Sequence, residues 1–220
     1  MGIDLSVKNH LDHCLSYGNF GETITMGRQA ISPEANITKY SGWCEEMLKS
    51  EYGATNVASM DFSNYQGATV LHDLNIKLKD SEISQYDTVI DLGTLEHIYN
   101  ISNALFNLSK LCKIGGQILH VLPANQMCGH GFWQVSPELF FSLYSEVNGY
   151  KQTEVYTADV PTGRLSRREK PATGQRLNIE TKNATYVVVR TVLATENWSH
   201  RIVQQSDYVS TWFESNSSTS

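Results

Sequence analysis

Glu96 and His97 stand side by side where an apolar, β-branched run (86–92, YDTVIDL) breaks at Gly93 and a helical pattern begins. An imidazole beside a carboxylate can act as a general base near neutral pH. The same pair at a helix start can also be a local hydrogen-bonding device, its acid favoured by the positive end of the helix dipole. A second imidazole, His130, lies between glycines in PANQMCGHGFWQ (123–134), with Asn125, Cys128, Phe132 and Trp133. Flexible backbone carrying a histidine and aromatics suits a substrate lid or acceptor pocket. It suits equally a packed Ω-loop whose aromatics cap the core. Asp61 and Asp73 each close a short apolar run, where a carboxylate can accept from two ligand donors or close an Asx turn.

The elements that must position these residues alternate. Short β-branched or apolar runs at 22–26, 57–60, 68–72, 87–92 and 117–122 read as strands. Helical patterns separate them: 43–52, stopped by Gly53, and 98–112, where Ile98, Ile101, Leu105, Leu108 and Cys112 share one face up to Gly115-Gly116. Ser136-Pro137-Glu138 has the Ser cap, first-turn Pro and acid that open a helix, and Ser32-Pro33-Glu34 repeats the signal. The runs 151–157 and 184–192 read as a late antiparallel pair. Alternation of this kind predicts an α/β fold with a mostly parallel sheet covered on both faces. Ligands of open sheets bind beyond the carboxyl ends of the strands, so Gly27, Asp61, Asp73 and 93–97 should share one rim.

Bulk properties narrow the classes. With 220 residues, 40% of them hydrophobic, the chain can bury one sizeable core, predicting a single domain over 1–213 with its centre at about 18–194. A net charge of −6 argues against nucleic acid or an anionic membrane as general partner. No apolar run reaches the length of a membrane span, and MGIDLSVKNH lacks a signal-peptide core. The four cysteines, Cys14, Cys44, Cys112 and Cys128, form no CxxC pair. They predict free thiols in a reducing cytoplasm, and no metal ligand is assigned. The segment 161–178 sets Arg164, Arg167, Arg168, Lys170 and Arg176 against Glu169. That is either an anion-attracting loop or a solvated one. The SNSSTS tail is too polar to pack and is expected to be disordered over 214–220.

The segment YDTVIDLGTLEHIYNISNALFNLSKLCKIGGQILHVLPAN (86–125) resembles the fourth-to-fifth-strand region of class I S-adenosylmethionine-dependent methyltransferases. It has the acidic strand end, the L-E-H-I turn, a helix and K-x-G-G before the next strand. GHGFWQVSPELFFSLYSEVNGY (129–150) resembles a bacterial subgroup of such proteins. The resemblance implies a Rossmann-like doubly wound sheet with an antiparallel C-terminal hairpin, and S-adenosylmethionine as cofactor. It implies methyl transfer to an oxygen or nitrogen of a small molecule or sugar. Cofactor contacts would fall on Gly27, Arg28, Asp61 (ribose), Asp73 (adenine), Gly93 and Glu96. Acceptor contacts would fall on Asn125, Phe132 and Trp133, and the acceptor's proton would go to His97 or His130. A homo-oligomer stays open. One departure stands out: the first-strand loop is ETITMGRQAISPE, where Gly27 is followed by Arg28 and Gln29 in place of small residues. Arg28 could hold the cofactor's carboxylate, or the loop could fill its pocket. The second outcome would leave a non-catalytic binding or regulatory module.

Overall fold

A computed structural model describes residues 2–35, 37–79, 81 and 83–209; the polar tail at 214–220 lies outside them. Along the chain come α1 (Leu5–Leu15), β1 (Gly21–Met26), α2 (Glu45–Tyr52), β2 (Ala54–Asp61), β3 (Val70–Leu71) and β4 (Tyr86–Leu92). Then follow α3 (Ile101–Leu111), β5 (Cys112–Pro123), α4 (Pro137–Leu143), β6 (Tyr150–Asp159), β7 (Leu165–Arg168) and β8 (Thr185–Leu193). The strands form one eight-stranded sheet in the order β3-β2-β1-β4-β5-β8-β6-β7. Pairs from β3 through β5 are parallel, and those involving β8 or β7 are antiparallel. The expected mostly parallel α/β sheet with an antiparallel C-terminal part is therefore present. Strand order reverses between β1 and β4, which opens the crevice characteristic of doubly wound sheets at Gly27 and Gly93.

Two apolar layers sandwich the sheet. On one face Leu105, Leu108 and Phe140 pack with Val89 and Ile118; on the other Val7, Leu11 and Leu48 pack with Ile90 and Leu119. Alternate residues of β4 thus serve opposite layers, as a strand buried on both faces must. Gly53 ends α2 in the left-handed conformation, and Ser136 caps α4 by accepting from the Glu138 amide. Among the described residues no helix is long and apolar enough to cross a membrane.

Several elements differ from the sequence reading. Helix α3 begins at Ile101, not Ile98, because Asn100 caps it by accepting from the Asn103 amide while Leu95–His97 forms a separate 3-10 turn. It ends at Leu111, ahead of Gly115-Gly116: Cys112 already pairs with Tyr86, and the glycines lie inside β5 beside a register irregularity. There a Cβ on Gly116 would sit 2.8 Å from the Asp87 carbonyl. Helix α1 was not expected. Its buried stripe is Val7, His10, Leu11 and Cys14, with Ser6 buried beside it, so that only Val7 and Leu11 are aliphatic. The late strands are adjacent and antiparallel, yet the true hairpin is β6–β7, with β8 inserted between β5 and β6.

Candidate functional site

The crevice begins where β1 ends. The Gly27 amide donates to the Met60 carbonyl (2.7 Å), and the Met26 carbonyl accepts from both Thr94 Oγ1 and Gln29 Nε2 (2.7 Å each). These bonds tie the ends of β1, β2 and β4 together. Gly27 has φ +68°, and a Cβ there would stand 3.1 Å from Thr94 Oγ1, 3.4 Å from Gln29 Nε2 and 3.9 Å from Asp61 Oδ2. Glycine thus meets both a backbone demand and a space demand at this position. Asp61 is half-buried at the end of β2 and faces the same space. Gln29, which the sequence reading treated only as an obstacle, is buried, and its Oε1 has no hydrogen-bond partner among the described residues. It is a fixed acceptor beside Gly27.

Arg28 turns to the outer wall. Its Nε donates to Glu45 (2.6 Å), its Nη1 donates to the Gln66 carbonyl (3.1 Å), and its guanidinium lies 4.6 Å from the Trp43 ring centre. Asp73 closes a turn: one carboxylate oxygen accepts from both the Asn75 amide and its side chain, holding its carboxyl below the usual range. Asn75 in turn accepts from the Asn100 amide, which joins this turn to the start of α3.

Asp91 and Glu96, close in sequence, separate completely. Asp91 is fully buried; one oxygen accepts from the Thr94 and Leu95 amides, and the other accepts from His120 Nδ1 at 3.0 Å. That hydrogen bond fixes the tautomer, so His120 Nε2 accepts from the Tyr144 hydroxyl at 2.7 Å. The Asp91–His120–Tyr144 chain is sealed from solvent and holds the turn carrying Glu96 and His97. His120 sits in the apolar run QILHVL, and a histidine flanked by Leu and Val in a buried strand needs a partner. That was the available signal.

Glu96 is also fully buried, but neither carboxylate oxygen has a hydrogen-bond partner among the described residues. Burial, reinforced by the charge of Asp91, pushes its carboxyl up to about 8. The loop after β5 folds onto it: the Phe132 and Trp133 amides donate to the Glu96 carbonyl, and Trp133 Nε1 donates to the Ile98 carbonyl. Gly131, at φ +77°, permits this approach, since a Cβ there would lie 2.7 Å from Glu96 Cγ. The result joins both expected imidazoles to one acid. His130 Nε2 is 3.5 Å and His97 Nε2 3.7 Å from Glu96 Oε1. Burial and the neighbouring His130 lower the His97 imidazole below its usual value.

Phe132, two residues after His130, and Tyr99, two after His97, are exposed. Asn125 donates to the Ile179 carbonyl and lines a cavity of about 270 Å³ with Val135, Thr157 and Thr185. The structure thus brings Gly27, Asp61, Gln29 and Thr94 together at the switch point, and Glu96, His97 and His130 at its rim. Arg28 and Asn125 are committed to neighbouring loops.

Against known proteins, no family model and no curated protein matches the chain. Solved structures do match. A SAM-dependent methyltransferase from Archaeoglobus fulgidus superposes with a TM-score of 0.50 at 14% identity, over 84% of this chain and 92% of its own. A SAM-dependent methyltransferase from Thermotoga maritima gives 0.48 at 13% identity, covering 84% and 87%. Phosphoethanolamine N-methyltransferase 1 from Haemonchus contortus gives 0.47 at 12%, covering 98% and 49%. The Archaeoglobus structure supports the fold assignment: the chain has the class I methyltransferase fold.

Proposed function

We propose that the protein binds S-adenosylmethionine at the β1–β4 switch point and transfers its methyl group to an oxygen or nitrogen of a small molecule or sugar. Because one fold hosts many functions, the reading rests on the site. The observation that carries it is the end of β1 at Gly27, where a Cβ would meet Thr94 Oγ1, Gln29 Nε2 and Asp61 Oδ2 and where the buried Gln29 side chain keeps an unpartnered Oε1. Those groups fit the cofactor: a two-oxygen acceptor suits a ribose diol, and a buried neutral acceptor suits an ammonium group. When bound, the cofactor supplies an electrophilic methyl group. Asp73 retains one carboxylate oxygen outside its turn for the adenine side, and Gly93 and Glu96 bound the crevice from β4. Phe132, Trp133 and Tyr99 offer ring faces to an acceptor. His97 or His130 would take the acceptor's proton, while alignment of nucleophile and methyl supplies most of the rate.

A second reading has its own support. Arg28 is spent on Glu45, Gln66 and Trp43, and the Gln29 side chain occupies part of the loop. Such a loop suits a binding or regulatory module that no longer takes the cofactor. Calorimetric titration with S-adenosylmethionine and S-adenosylhomocysteine separates the two. Micromolar binding of both, weakened about 10–100-fold in Asp61→Ala by loss of a charged hydrogen-bond acceptor, supports the enzyme. Absence of heat at millimolar ligand supports the module.

A further inference from the structure

Glu96, His97 and His130 each offer one ligand atom, and the three atoms lie within 4.8 Å of one another. Three observations set this group apart from a chance meeting of polar side chains. Glu96 is fully buried with both carboxylate oxygens lacking a hydrogen-bond partner among the described residues, an arrangement that a bound cation would satisfy. The His130 ring is 40% exposed, yet its Nε2 is buried, unpartnered and turned inward to Glu96. The loop that delivers His130 is clamped by the Phe132 amide on the Glu96 carbonyl (2.7 Å) and by the close seat of Gly131 on Glu96.

The spacing also fits. A tetrahedral ion with bonds of about 2.0–2.1 Å sets its ligand atoms about 3.4 Å apart. Here Glu96 Oε1 stands 3.5 Å from His130 Nε2 and 3.7 Å from His97 Nε2. We infer that Glu96, His97 and His130 form a binding site for a divalent transition-metal ion, zinc foremost, with three protein ligands and an open outer side. Two imidazoles and one carboxylate select zinc-class ions over magnesium, which prefers oxygen ligands and keeps its water. The exposed rims of His97 and His130 leave the outer coordination position to water or to an oxygen or nitrogen of a bound molecule. The site does not depend on the methyl-transfer reading, because all three ligand atoms come from this chain's own side chains. With metal bound, the two imidazoles are ligands and no longer free bases.

Sequence spacing could not show this. Glu96 and His97 are adjacent and His130 lies a helix, a strand and a loop away, which matches no metal motif.

The test is titration of the untagged, chelator-treated protein with Zn²⁺, Co²⁺ and Mg²⁺, without S-adenosylmethionine. One equivalent of Zn²⁺ should bind and raise the unfolding temperature. Co²⁺ should give the visible absorption of a low-coordinate site, and Mg²⁺ should give neither. His130→Ala and Glu96→Gln should weaken Zn²⁺ binding by more than about 100-fold, since losing even an outer partner of a metal ligand costs about 10–100-fold. His97→Ala, at an exposed side chain, gives the same readout if the Glu96 variant fails to fold. Cys128→Ser should bind as the parent does, and so should His72→Ala, whose ring Nε2 is paired with the Ile76 carbonyl outside this group. The inference is overturned if the parent binds no stoichiometric Zn²⁺, if the ligand variants bind as the parent does, or if Cys128→Ser abolishes binding.

Discussion

His10 provides a quantitative test of the packing of α1. The ring is fully buried, its Nε2 donates to the Val189 carbonyl at 3.1 Å, and Cys14 Sγ lies 3.6 Å from its Nδ1. Burial lowers its pKa from 6.5 to about 3 against the opposing pull of the Val189 carbonyl, with smaller lowering contributions from His13, His120 and Arg190. In the unfolded chain the same ring takes up a proton near pH 6.5. The sign follows: the unfolded state binds more protons between these two values, so stability is full above 6.5 and falls as pH drops toward 3. Each pH unit in that window is about 1.4 kcal/mol, so moving from pH 7 to pH 5 should cost about 2 kcal/mol through His10. Against a typical total of about 5–15 kcal/mol, this is large enough to measure. Other titrating groups also change stability over this range, Glu96 in the opposite direction, so the informative quantity is a difference. His10→Gln keeps a side-chain donor for Val189 and does not titrate. Urea unfolding of both proteins at pH 7 and pH 5 should show the parent losing about 2 kcal/mol more than the variant. Coincident pH slopes would falsify the claim that His10 is neutral and sealed in the folded protein.

Gly131→Ala places a side chain in a left-handed conformation, costing about 1–2 kcal/mol, and drives a Cβ to 2.7 Å from Glu96. The loop should lift, seen as faster hydrogen exchange at the Phe132 and Trp133 amides; unchanged exchange would contradict the clamp. Arg28→Ala should cost about 0.2–1 kcal/mol through its part-exposed pair with Glu45 and change S-adenosylmethionine affinity by less than about threefold. A tenfold loss would return Arg28 to the cofactor's carboxylate. Tyr144→Phe removes the donor to His120 and leaves a buried nitrogen unpaired, costing about 1–3 kcal/mol by denaturant unfolding. No change would mean that the Asp91–His120–Tyr144 chain does not hold the turn.

The parallel half of the sheet could be read from the sequence because its strands are continuous apolar runs with glycine or acid stops, a local signal. Helix α1 was hidden because His10 and Cys14 occupy half its buried stripe, and an apolar period blurs when polar side chains fill the core. Strand β7 escaped notice because its LSRR sequence sits at an open sheet edge, where charge is tolerated and alternation is not required. In the site, Glu96, His97 and His130 were each picked out by residue type and position. Their meeting depends on how one loop folds back, and chain separation carries no record of that. Asp91 and Glu96 flank Gly93 in the sequence, yet a single turn sends one to His120 and the other to His130. The unpartnered Oε1 of Gln29 could not be read from the sequence, because it follows from the side chain folding back to the Met26 carbonyl.

The place of β8 bears on how the protein is made. It is the last of the eight strands in chain order, yet it pairs with β5 on one side and β6 on the other. While the chain is being synthesised, β5 and β6 must wait with facing edges unpaired until residues 185–193 arrive to fill the gap. Exposed edges and long-range pairing are the ingredients of slow, aggregation-prone intermediates. The nascent chain therefore holds an open seam in its sheet until β8 has been made, and a ribosome stalled before β8 would present that seam to chaperones and proteases.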